Sequence, residues 1–567
     1  MSHSVIQLQV MWNRLLAIVE EQAQTLIRTS FSVTTREGGD VSAGVFDIQG
    51  RMLAQAETGT PGHINSMALA IPHFLRRFPA EIMKPGDVFL TNDPWRGTGH
   101  LHDFTFVTPA FHANKISGFF ACTSHVVDIG GVGFSPEGRQ IYHEGLQIPI
   151  MKFADAGAVN EWLLEIVRTN VREPIQVVGD LYALAACNAN AVKALQRLMT
   201  ETATFSLDEV AEFIISSSRQ AMFKAFSGLP KGRARHAMRT DGYSSPVDLV
   251  CSVELSEKRI AVDFEGTSPA SELGINCPLC YTTAYAAFAV KCVVAPRVPN
   301  NFGSLETIVV TAPENSIVNA PYPSAVAVRS VVGHLLPDVV FGCLDQLVPN
   351  RVPAEGAGSL WGLKAGAGHG LTLNADGKQF TSFMMMSLHS GGMGARPTAD
   401  GLSATPYPSG VKSIPIEITE AITPLVVWKK ELRRDSGGAG EHRGGLGQIM
   451  VVANRESVSF SIFATFDRVA FPPRGRHGGL NGAHGSVRLG SGATLNAKGR
   501  QVIPAGDTVV LEMPGGAGYG DPRSRRLEDI DADLQQGYTS WEAVAREYGV
   551  ARDSDGKLYR LSGAARK

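Results

Sequence analysis

The stretch TNDPWRGTGHLHDFTFVTPAFHANKISGFFACTSHVVDIGG, residues 91–131, decides the fold of the N-terminal part of the chain. Two runs of apolar and β-branched residues flank the polar turn 112–115, a pattern typical of a β-hairpin. With the turn centred near Asn114, antiparallel pairing joins residues whose numbers sum to about 228. Asp103 and His125 meet that condition and are predicted to face each other at the open end of the hairpin.

Asp103 and His125 form part of a candidate metal site. Directly opposed Cα atoms lie about 4.5–5.5 Å apart, which lets both side chains bind one ion. His100 precedes Asp103 by three residues, and a glycine-rich approach permits the turn that would bring the two together. Two imidazoles and a carboxylate suit Zn²⁺, Mn²⁺ or Fe²⁺. The alternative is a polar hairpin end whose histidines bond to nearby carbonyls, and this interpretation is preferred for His102 and His112.

Composition argues against several classes of function. Lys and Arg total 52 against 54 Asp and Glu, and no basic cluster is interleaved with aromatic residues, so neither nucleic acid nor a membrane surface is a predicted partner. No run approaches the roughly 18 apolar residues of a membrane span, and no signal peptide is evident. Seven scattered cysteines favour the reducing cytoplasm. The single CxxC at 277–280 is interpreted as buried thiols, with a redox or zinc role as the alternative.

The chain is predicted to be an α+β protein of several domains. An amphipathic helix and two hairpins make up an N-terminal metal-site domain at 1–228. A basic, turn-rich segment at 229–235 is interpreted as a linker into a middle α/β domain at 229–400. Short β-type runs divided by glycine predict a β-rich C-terminal domain at 401–567. Its glycine runs are interpreted as bulges and turns, with close approach to a ligand or a neighbouring chain as the alternative.

Three common catalytic and cofactor motifs do not occur in the sequence. Residues 133–140, GFSPEGRQ, have the glycine spacing of a phosphate-binding loop but lack its lysine and hydroxyl residue. There is no G-x-G-x-x-G dinucleotide motif and no G-x-S-x-G nucleophile elbow. An ATP or nicotinamide site within this chain therefore has no support from its sequence.

A series of short motifs, in order and nearly from end to end, identifies a family that the chain resembles. They are REGGDVS at 36–42, LAQA at 53–56, HINSM at 63–67, NDP at 92–94, HLHD at 100–103, HVVDIGG at 125–131, EGLQIP at 144–149, NVREP at 170–174, GDL at 179–181, GGMGAR at 391–396, ELRRDSGG at 431–438 and PGGAGYGDP at 514–522. With these motifs the chain resembles the hydantoinase B family. That family includes the second subunit of ATP-dependent N-methylhydantoinase and caprolactamase, one half of 5-oxoprolinase, and a subunit of acetone and acetophenone carboxylases.

The resemblance implies a metal bound by four residues of this chain. They are His100, Asp103 and His125, already singled out by the hairpin register, and an acidic residue near the first hairpin. Carried onto the REGGDVS motif, the acidic ligand is Asp40, with Glu37 as the alternative.

Three positions depart from the pattern of the family. His102 stands where proline is common, Ser124 where many members have another histidine, and Leu184 where glutamine is usual. The first two lie next to the implied ligands and would tune metal affinity and the pKa of a bound water. They therefore bear on the substrate rather than on the presence of a metal.

The resemblance also implies a mechanism shared between two subunits. A hydantoinase A-type partner is expected to bind ATP and phosphorylate a carbonyl oxygen of a cyclic amide or imide, and the metal of this chain to act as a Lewis acid during hydrolysis. His102 or Asp128 would orient a ligand or carry a proton, and Arg396 would take an anionic phosphate or carboxylate. A turn carboxylate and a structural ion pair are the alternatives for Asp128 and Arg396.

Three other interpretations stay open. In a ketone carboxylase of the acetone or acetophenone type, the same site would direct an enol phosphate onto CO₂. In a scaffold or regulatory subunit the metal would be only structural, and the last alternative is a protein that holds no metal. Hydrolysis is preferred because the chain is shorter than the acetone carboxylase subunits it resembles. The expected assembly is a hetero-oligomer such as (AB)₂.

Overall fold

The computed structural model describes residues 3–57, 59–202, 206–358, 360–368 and 380–561. The chain folds into two compact units. The first comprises Met1–Met238, Asp248–Val348 and Ser409–Lys412, and the second Arg239–Val247, Pro349–Pro408 and Ser413–Lys567. The three predicted regions differ from this division, because the segment 229–400 is shared between the two units instead of forming a domain of its own.

The first unit contains both helices and strands. Its helices are α1 (Val5–Thr29), α2 (Val33–Arg36), α3 (Pro61–Arg77), α4 (Ile141–Glu144), α5 (Glu161–Asn170), α6 (Pro174–Glu201), α7 (Leu207–Ser227), α8 (Leu279–Val294), α9 (Phe302–Leu305), α10 (Ser330–Gly333) and α11 (Leu336–Leu347). Its strands are β1 (Val41–Phe46), β2 (Met52–Gln55), β3 (Val88–Thr91), β4 (Asp103–His112), β5 (Lys115–His125), β6 (Met151–Asp155), β7 (Ala158–Val159), β8 (Gly232–Thr240), β9 (Val247–Leu255), β10 (Ile260–Asp263) and β11 (Ile308–Thr311). The predicted α+β class is confirmed.

A seven-stranded antiparallel sheet, in the order β2-β1-β5-β4-β3-β6-β7, carries the predicted hairpin at its centre. The helix α3 packs on one face through Ile71 and Phe74, which share an apolar cluster with Phe119 of β5. On the other face, Phe106 of β4 packs with residues of α6 such as Leu184. Because both faces are covered, β4 and β5 are buried along most of their length, and the end of the hairpin lies inside the protein.

The predicted linker at 229–235 is wrong in its second half, since β8 begins at Gly232. This strand is an edge of a four-stranded sheet in the order β11-β10-β9-β8. Ala234, Met238 and Thr240 are buried, whereas the arginines at 233, 235 and 239 are exposed. The basic composition that suggested a linker therefore belongs to the solvent side of an edge strand.

The second unit is rich in β-structure, as predicted for the C-terminal region. Its elements are β12 (Trp361–Ala367), β13 (Phe383–His389), α12 (Ile416–Ile422), β14 (Leu425–Leu432), β15 (Gln448–Asn454), β16 (Phe460–Thr465), β17 (Ser486–Leu489), β18 (Lys498–Ile503), β19 (Thr508–Glu512), α13 (Leu527–Gln535), α14 (Trp541–Tyr548), β20 (Val550–Arg552) and β21 (Leu558–Arg560). Two four-stranded sheets, β13-β12-β16-β18 and β14-β15-β19-β17, contribute side chains to one apolar core. Trp361 lies in that core and stacks on Phe466.

Glycine runs of the second unit pack backbone against backbone. We call the runs 391–394, 437–447, 475–482 and 514–520 the glycine layer; none of them is helix or strand. Gly516 donates its amide to Gly445 O at 2.8 Å, and Gly445 donates to Met393 O at 2.8 Å. A Cβ atom added at Gly516 would lie 2.0 Å from Met393 O, where no side chain fits. The glycine runs thus form a packed hydrogen-bonded layer and are more than the bulges and turns predicted for them.

The helices within the described ranges include none with both the length and the apolar character that a membrane crossing requires.

Candidate metal centre

The hairpin places Asp103 opposite His125, as its register predicts. The two residues are paired at the open end of β4 and β5. The connecting turn has left-handed backbone at Ala113 (φ 45°) and Asn114 (φ 61°), the conformation that suits a tight two-residue hairpin turn. A bulge after Ala110 shifts the pairing near the turn but leaves the end of the ladder at the predicted register.

A turn before β4 brings His100 to the same place. Gly99, just before His100, has a φ of 98°, in the left-handed region that glycine tolerates, and the amide of Asp103 donates to His100 O at 3.5 Å across the turn that follows. A Cβ atom at Gly99 would lie 2.7 Å from Cδ of Arg329. The glycine therefore serves both the turn and the close approach of an arginine.

His100, Asp103 and His125 each offer one ligand atom within 4.8 Å of the other two, and all three side chains are buried. His100 Nε2 lies 2.7 Å and His125 Nδ1 3.2 Å from the same atom, Asp103 Oδ1. Two ring nitrogens thus converge on one carboxylate oxygen.

The surroundings of His100 fit a bound cation. Its Nδ1 lies 2.7 Å from Ala327 O, and its Nε2 is equally close to Asp103 Oδ1. Burial, reinforced by the positive charge of Arg329, lowers the pKa of His100 to about 3, so the ring is neutral and carries a single N–H. One of the two short contacts therefore lacks a proton. A divalent ion held by His100 and Asp103 would satisfy it, and Nδ1–H of His100 would then donate to the Ala327 carbonyl, as in many metal sites.

Donors on the far side hold the Asp103 carboxylate in place. Its Oδ2 accepts from Thr98 Oγ1 at 2.8 Å, from Arg329 at 2.6 Å and from His63 Nε2 at 3.0 Å. Although burial opposes ionisation, the charges of His63 and Arg329 are among the interactions that keep the pKa of Asp103 well below its usual value. The carboxylate is therefore charged, and Oδ1 is turned towards His100 and His125.

Asp40 is connected to Asp103 through His63, which contacts both carboxylates. Asp40 lies just before the start of β1, where its carbonyl accepts from the amide of His125 at 3.4 Å, and its Oδ1 lies 3.4 Å from His63 Nδ1. Burial opposes protonation of His63, but the carboxylates of Asp103 and Asp40 raise its pKa. Glu37, the other predicted acidic ligand, is paired with Arg36 at 3.0 Å. Of the two, Asp40 is the one connected to the site.

Two further rings, those of His102 and Phe134, pack against the candidate ligands His100 and His125. His102 stacks parallel to His125, with ring centroids 5.1 Å apart. Phe134 meets His100, His102 and His125 edge-on, at centroid distances of 5.7, 5.0 and 5.2 Å. His102 therefore borders the ligand group without belonging to it.

The other predicted site residues do not lie in the ligand group. Asp128 accepts from the amide of Gly130 at 3.2 Å and from the Arg172 guanidinium at 2.8 Å. Arg396 belongs to the second unit and donates to Asp400 O at 2.8 Å. These contacts support the turn carboxylate that the sequence left open for Asp128, whereas Arg396 donates to a backbone carbonyl and not to the carboxylate of an ion pair.

Sequence reasoning from the hairpin missed His63, Arg329 and Thr98. His63 lies in the HINSM motif, which pointed to the family but not to a role for this histidine. Arg329 follows Asp103 by 226 residues, so no local pattern could connect the two. Thr98 is close to the site in sequence, but its role depends on the conformation of the turn.

Both CxxC cysteines are free thiols; Cys277 is buried, as interpreted, and Cys280 is half-buried. Cys277 donates to Arg329 O at 3.3 Å and Cys280 to Pro94 O at 3.3 Å. Burial raises the pKa of each thiol to about 12, which is unfavourable for redox chemistry or for zinc binding as a thiolate.

The family is decided by comparison with known proteins. The model of the family described as Hydantoinase B/oxoprolinase matches residues 4–522. The chain belongs to this family. A relative from a Pseudomonas strain, named as the B-type subunit of a putative D-/L-hydantoinase, is 29% identical, and the alignment covers 99% of this chain and 98% of the relative.

Two solved structures share the fold of this family member. An ATP-dependent caprolactamase from Pseudomonas jessenii matches with a TM-score of 0.87, at 24% identity and with 98% of both chains covered. A nucleotide-free acetone carboxylase matches with a TM-score of 0.82, at 19% identity, covering 98% of this chain and 81% of the other.

Proposed function

We propose that this chain is the metal-dependent subunit of an ATP-dependent enzyme that hydrolyses a cyclic amide or imide of the hydantoin, lactam or oxoproline type. The observation that carries the proposal is the convergence of His100 Nε2 and His125 Nδ1 on Asp103 Oδ1 in a buried site. The class of substrate follows from the family and from the names of its members, a hydantoinase component and a caprolactamase.

The proposed enzyme needs a second subunit in the cytoplasm. An A-type partner would bind ATP and phosphorylate the carbonyl oxygen of the substrate, and the two chains would assemble as a hetero-oligomer such as (AB)₂. The absence of phosphate-binding and dinucleotide motifs from this sequence supports the assignment of ATP to the partner. Phosphorylation would make the carbonyl carbon electrophilic enough for water to add to it; the ring C–N bond would then break, the nitrogen would take a proton, and the phosphoryl group would leave as phosphate to give the ring-opened acid.

In this scheme His100, Asp103 and His125 hold a Zn, Mn or Fe ion, with Asp40 as a fourth ligand. A bound divalent ion supplies Lewis acidity and lowers the pKa of water at its open position. Arg329 holds the Asp103 carboxylate in place and favours its ionised form before the substrate binds. This part of the site therefore needs no rearrangement during the reaction.

His102 is the residue that we propose to carry a proton to or from the reacting group. It stands beside the ligand group, and its ring faces that of His125. We assign Asp128 a positioning role in the turn that contains Gly130, in keeping with its contacts. Arg396 is proposed to bind an anionic phosphate or carboxylate.

Product analysis tests the reaction. The chain, purified with an A-type partner and supplied with ATP and a panel of hydantoins, lactams and 5-oxoproline, is expected to yield a ring-opened acid and one ADP for each ring opened. A metal chelator should remove the activity, and Zn²⁺, Mn²⁺ or Fe²⁺ should restore it. Turnover that survives complete metal removal would refute the proposal.

Ketone carboxylation is the second candidate, because an acetone carboxylase has the same fold. The same complex would then be supplied with a ketone, ATP and ¹³C-bicarbonate. Hydrolysis predicts no labelled carboxylate in the product, whereas its formation would replace the first proposal by the second.

The change His102→Gln tests proton transfer. General acid–base residues contribute about 10²–10⁴-fold to rate, so kcat is expected to fall within that range and its pH dependence to change, while the metal content stays at that of the wild type. His112→Gln, at the far end of the same hairpin, is the matched control and should leave the rate unaltered. A His102 variant that loses its metal would instead identify His102 as a ligand.

A further inference from the structure

One short loop supports two of the three proposed ligands from behind. We call residues 325–329 the support loop. Its Ala327 carbonyl lies 2.7 Å from His100 Nδ1, and its Arg329 guanidinium lies 2.6 Å from Asp103 Oδ2. Since Arg329 also donates to Thr98 O at 2.8 Å, the loop is tied to the turn that carries His100. The orientation of the Ala327 carbonyl and of the Arg329 guanidinium therefore depends on what holds the support loop in place.

Glu144, the last residue of α4, holds the support loop at the peptide whose carbonyl contacts His100, that of Ala327. Its Oε1 accepts from the amide of Val326 at 2.5 Å and from that of Ala327 at 2.8 Å. Residue 327 thus donates its N–H to Glu144 and offers its C=O to His100. The Glu144 side chain is fully buried, and Gly274 admits it: a Cβ there would lie 3.2 Å from Oε1.

We propose that Glu144 is a positioning residue of the metal centre, which fixes the Ala327 carbonyl and thereby the tautomer and orientation of His100. This inference rests on the proposed function, since it assumes that His100 is a metal ligand. Outer partners of this kind set how well a histidine presents its second nitrogen to an ion. Glu144 does so through one backbone peptide and without touching a ligand.

The chemistry of Glu144 predicts which substitutions matter. Burial raises its pKa to about 8, although the two amides and Arg329 oppose the shift, so the carboxyl is mostly neutral at pH 7. Its Oε2 has no hydrogen-bond partner among the residues that the structure describes. A glutamine keeps the accepting oxygen and the neutral state, and its amide nitrogen takes a place where no contact is lost. Alanine removes the acceptor and leaves both amides buried without it.

Metal affinity of the full-length protein tests the proposal. The metal-free chain is titrated with Co²⁺ and Zn²⁺ against a competing chelator, and the Co²⁺ absorption spectrum reports the ligand geometry. Glu144→Ala is expected to weaken binding about 10–100-fold and to change the spectrum, whereas Glu144→Gln should bind and absorb like the wild type.

Asp87→Ala is the matched control. Asp87 is also fully buried and accepts two backbone amides, from Lys84 and Ala156, both at 2.9 Å, but it holds the turn before β3 and not the support loop. This variant should lose thermal stability yet keep wild-type metal affinity and spectrum.

Two results would overturn the inference alone: a Glu144→Ala protein that binds metal like the wild type, or an Asp87→Ala protein that is weakened as much. Failure of the wild type to bind either metal would overturn the proposed function and this inference with it.

Discussion

Asp103→Asn is expected to abolish metal binding and the activity of the complex. Asp103 Oδ1 is the atom on which His100 and His125 converge, and asparagine offers no negative charge there. The loss of affinity should exceed the roughly 10–100-fold typical of an outer partner, because a direct ligand is removed. Metal content by elemental analysis and turnover with the A-type partner are the measurements.

The same change should also reduce stability. Arg329 and His63 both point at Asp103 Oδ2, and a buried cation that loses its carboxylate costs about 3–5 kcal/mol. The melting temperature is therefore expected to fall even for the metal-free protein. Asp47→Asn is the matched control: Asp47 is a buried carboxylate 2.6 Å from Arg51, so this variant should lose stability but keep metal and activity.

The outcome distinguishes a catalytic metal from a structural one. If Asp103→Asn lowers the melting temperature and the metal content but the surviving complex turns over at the normal rate, the chain is a scaffold with a structural ion. That result would contradict the proposed function.

Gly516→Ala is expected to unfold the second unit. The new Cβ would lie 2.0 Å from Met393 O and 2.3 Å from its carbonyl carbon, so two backbone segments must separate and their hydrogen bonds break. A loss of more than about 4 kcal/mol is the size that such a clash implies. Denaturant unfolding followed by circular dichroism, together with limited proteolysis of the second unit, measures it.

Gly362→Ala provides the control within the same unit. A Cβ there would meet Leu388 Cδ2 at 3.4 Å, an ordinary contact, so the strand β12 should accept alanine with little change in stability. If Gly516→Ala unfolds at the same denaturant concentration as the wild type, the glycine layer is not close-packed as described.

The parts of the site that the sequence could predict are those fixed by short-range sequence patterns. Alternating residues and a polar turn determine the register of β4 and β5, and register alone places Asp103 opposite His125. The turn that brings His100 to them was also predictable, because glycine precedes it. Arg329 was not, since its place depends on how a segment 226 residues away packs against the hairpin.

The glycine runs and the domains likewise depend on long-range packing that local sequence pattern does not reveal. Each run looks like a turn by itself, and only its pairing with other runs, as of Gly516 with Gly445, reveals the layer. The middle region was predicted as a domain from composition, yet Asp248–Val348 belongs with the N-terminal part. Composition does not record which distant segments share a core.

The long separation of the support loop from the hairpin has a consequence for synthesis. At about 5–20 residues per second, the ribosome finishes Asp103 roughly 10–50 s before Arg329, which lies 226 residues further along. During that interval the nascent chain carries His100 and Asp103 without the carbonyl and guanidinium that hold them. If the chain holds the proposed ion, tight binding would therefore have to wait until residue 329 has left the exit tunnel, and the metal would be loaded late in synthesis.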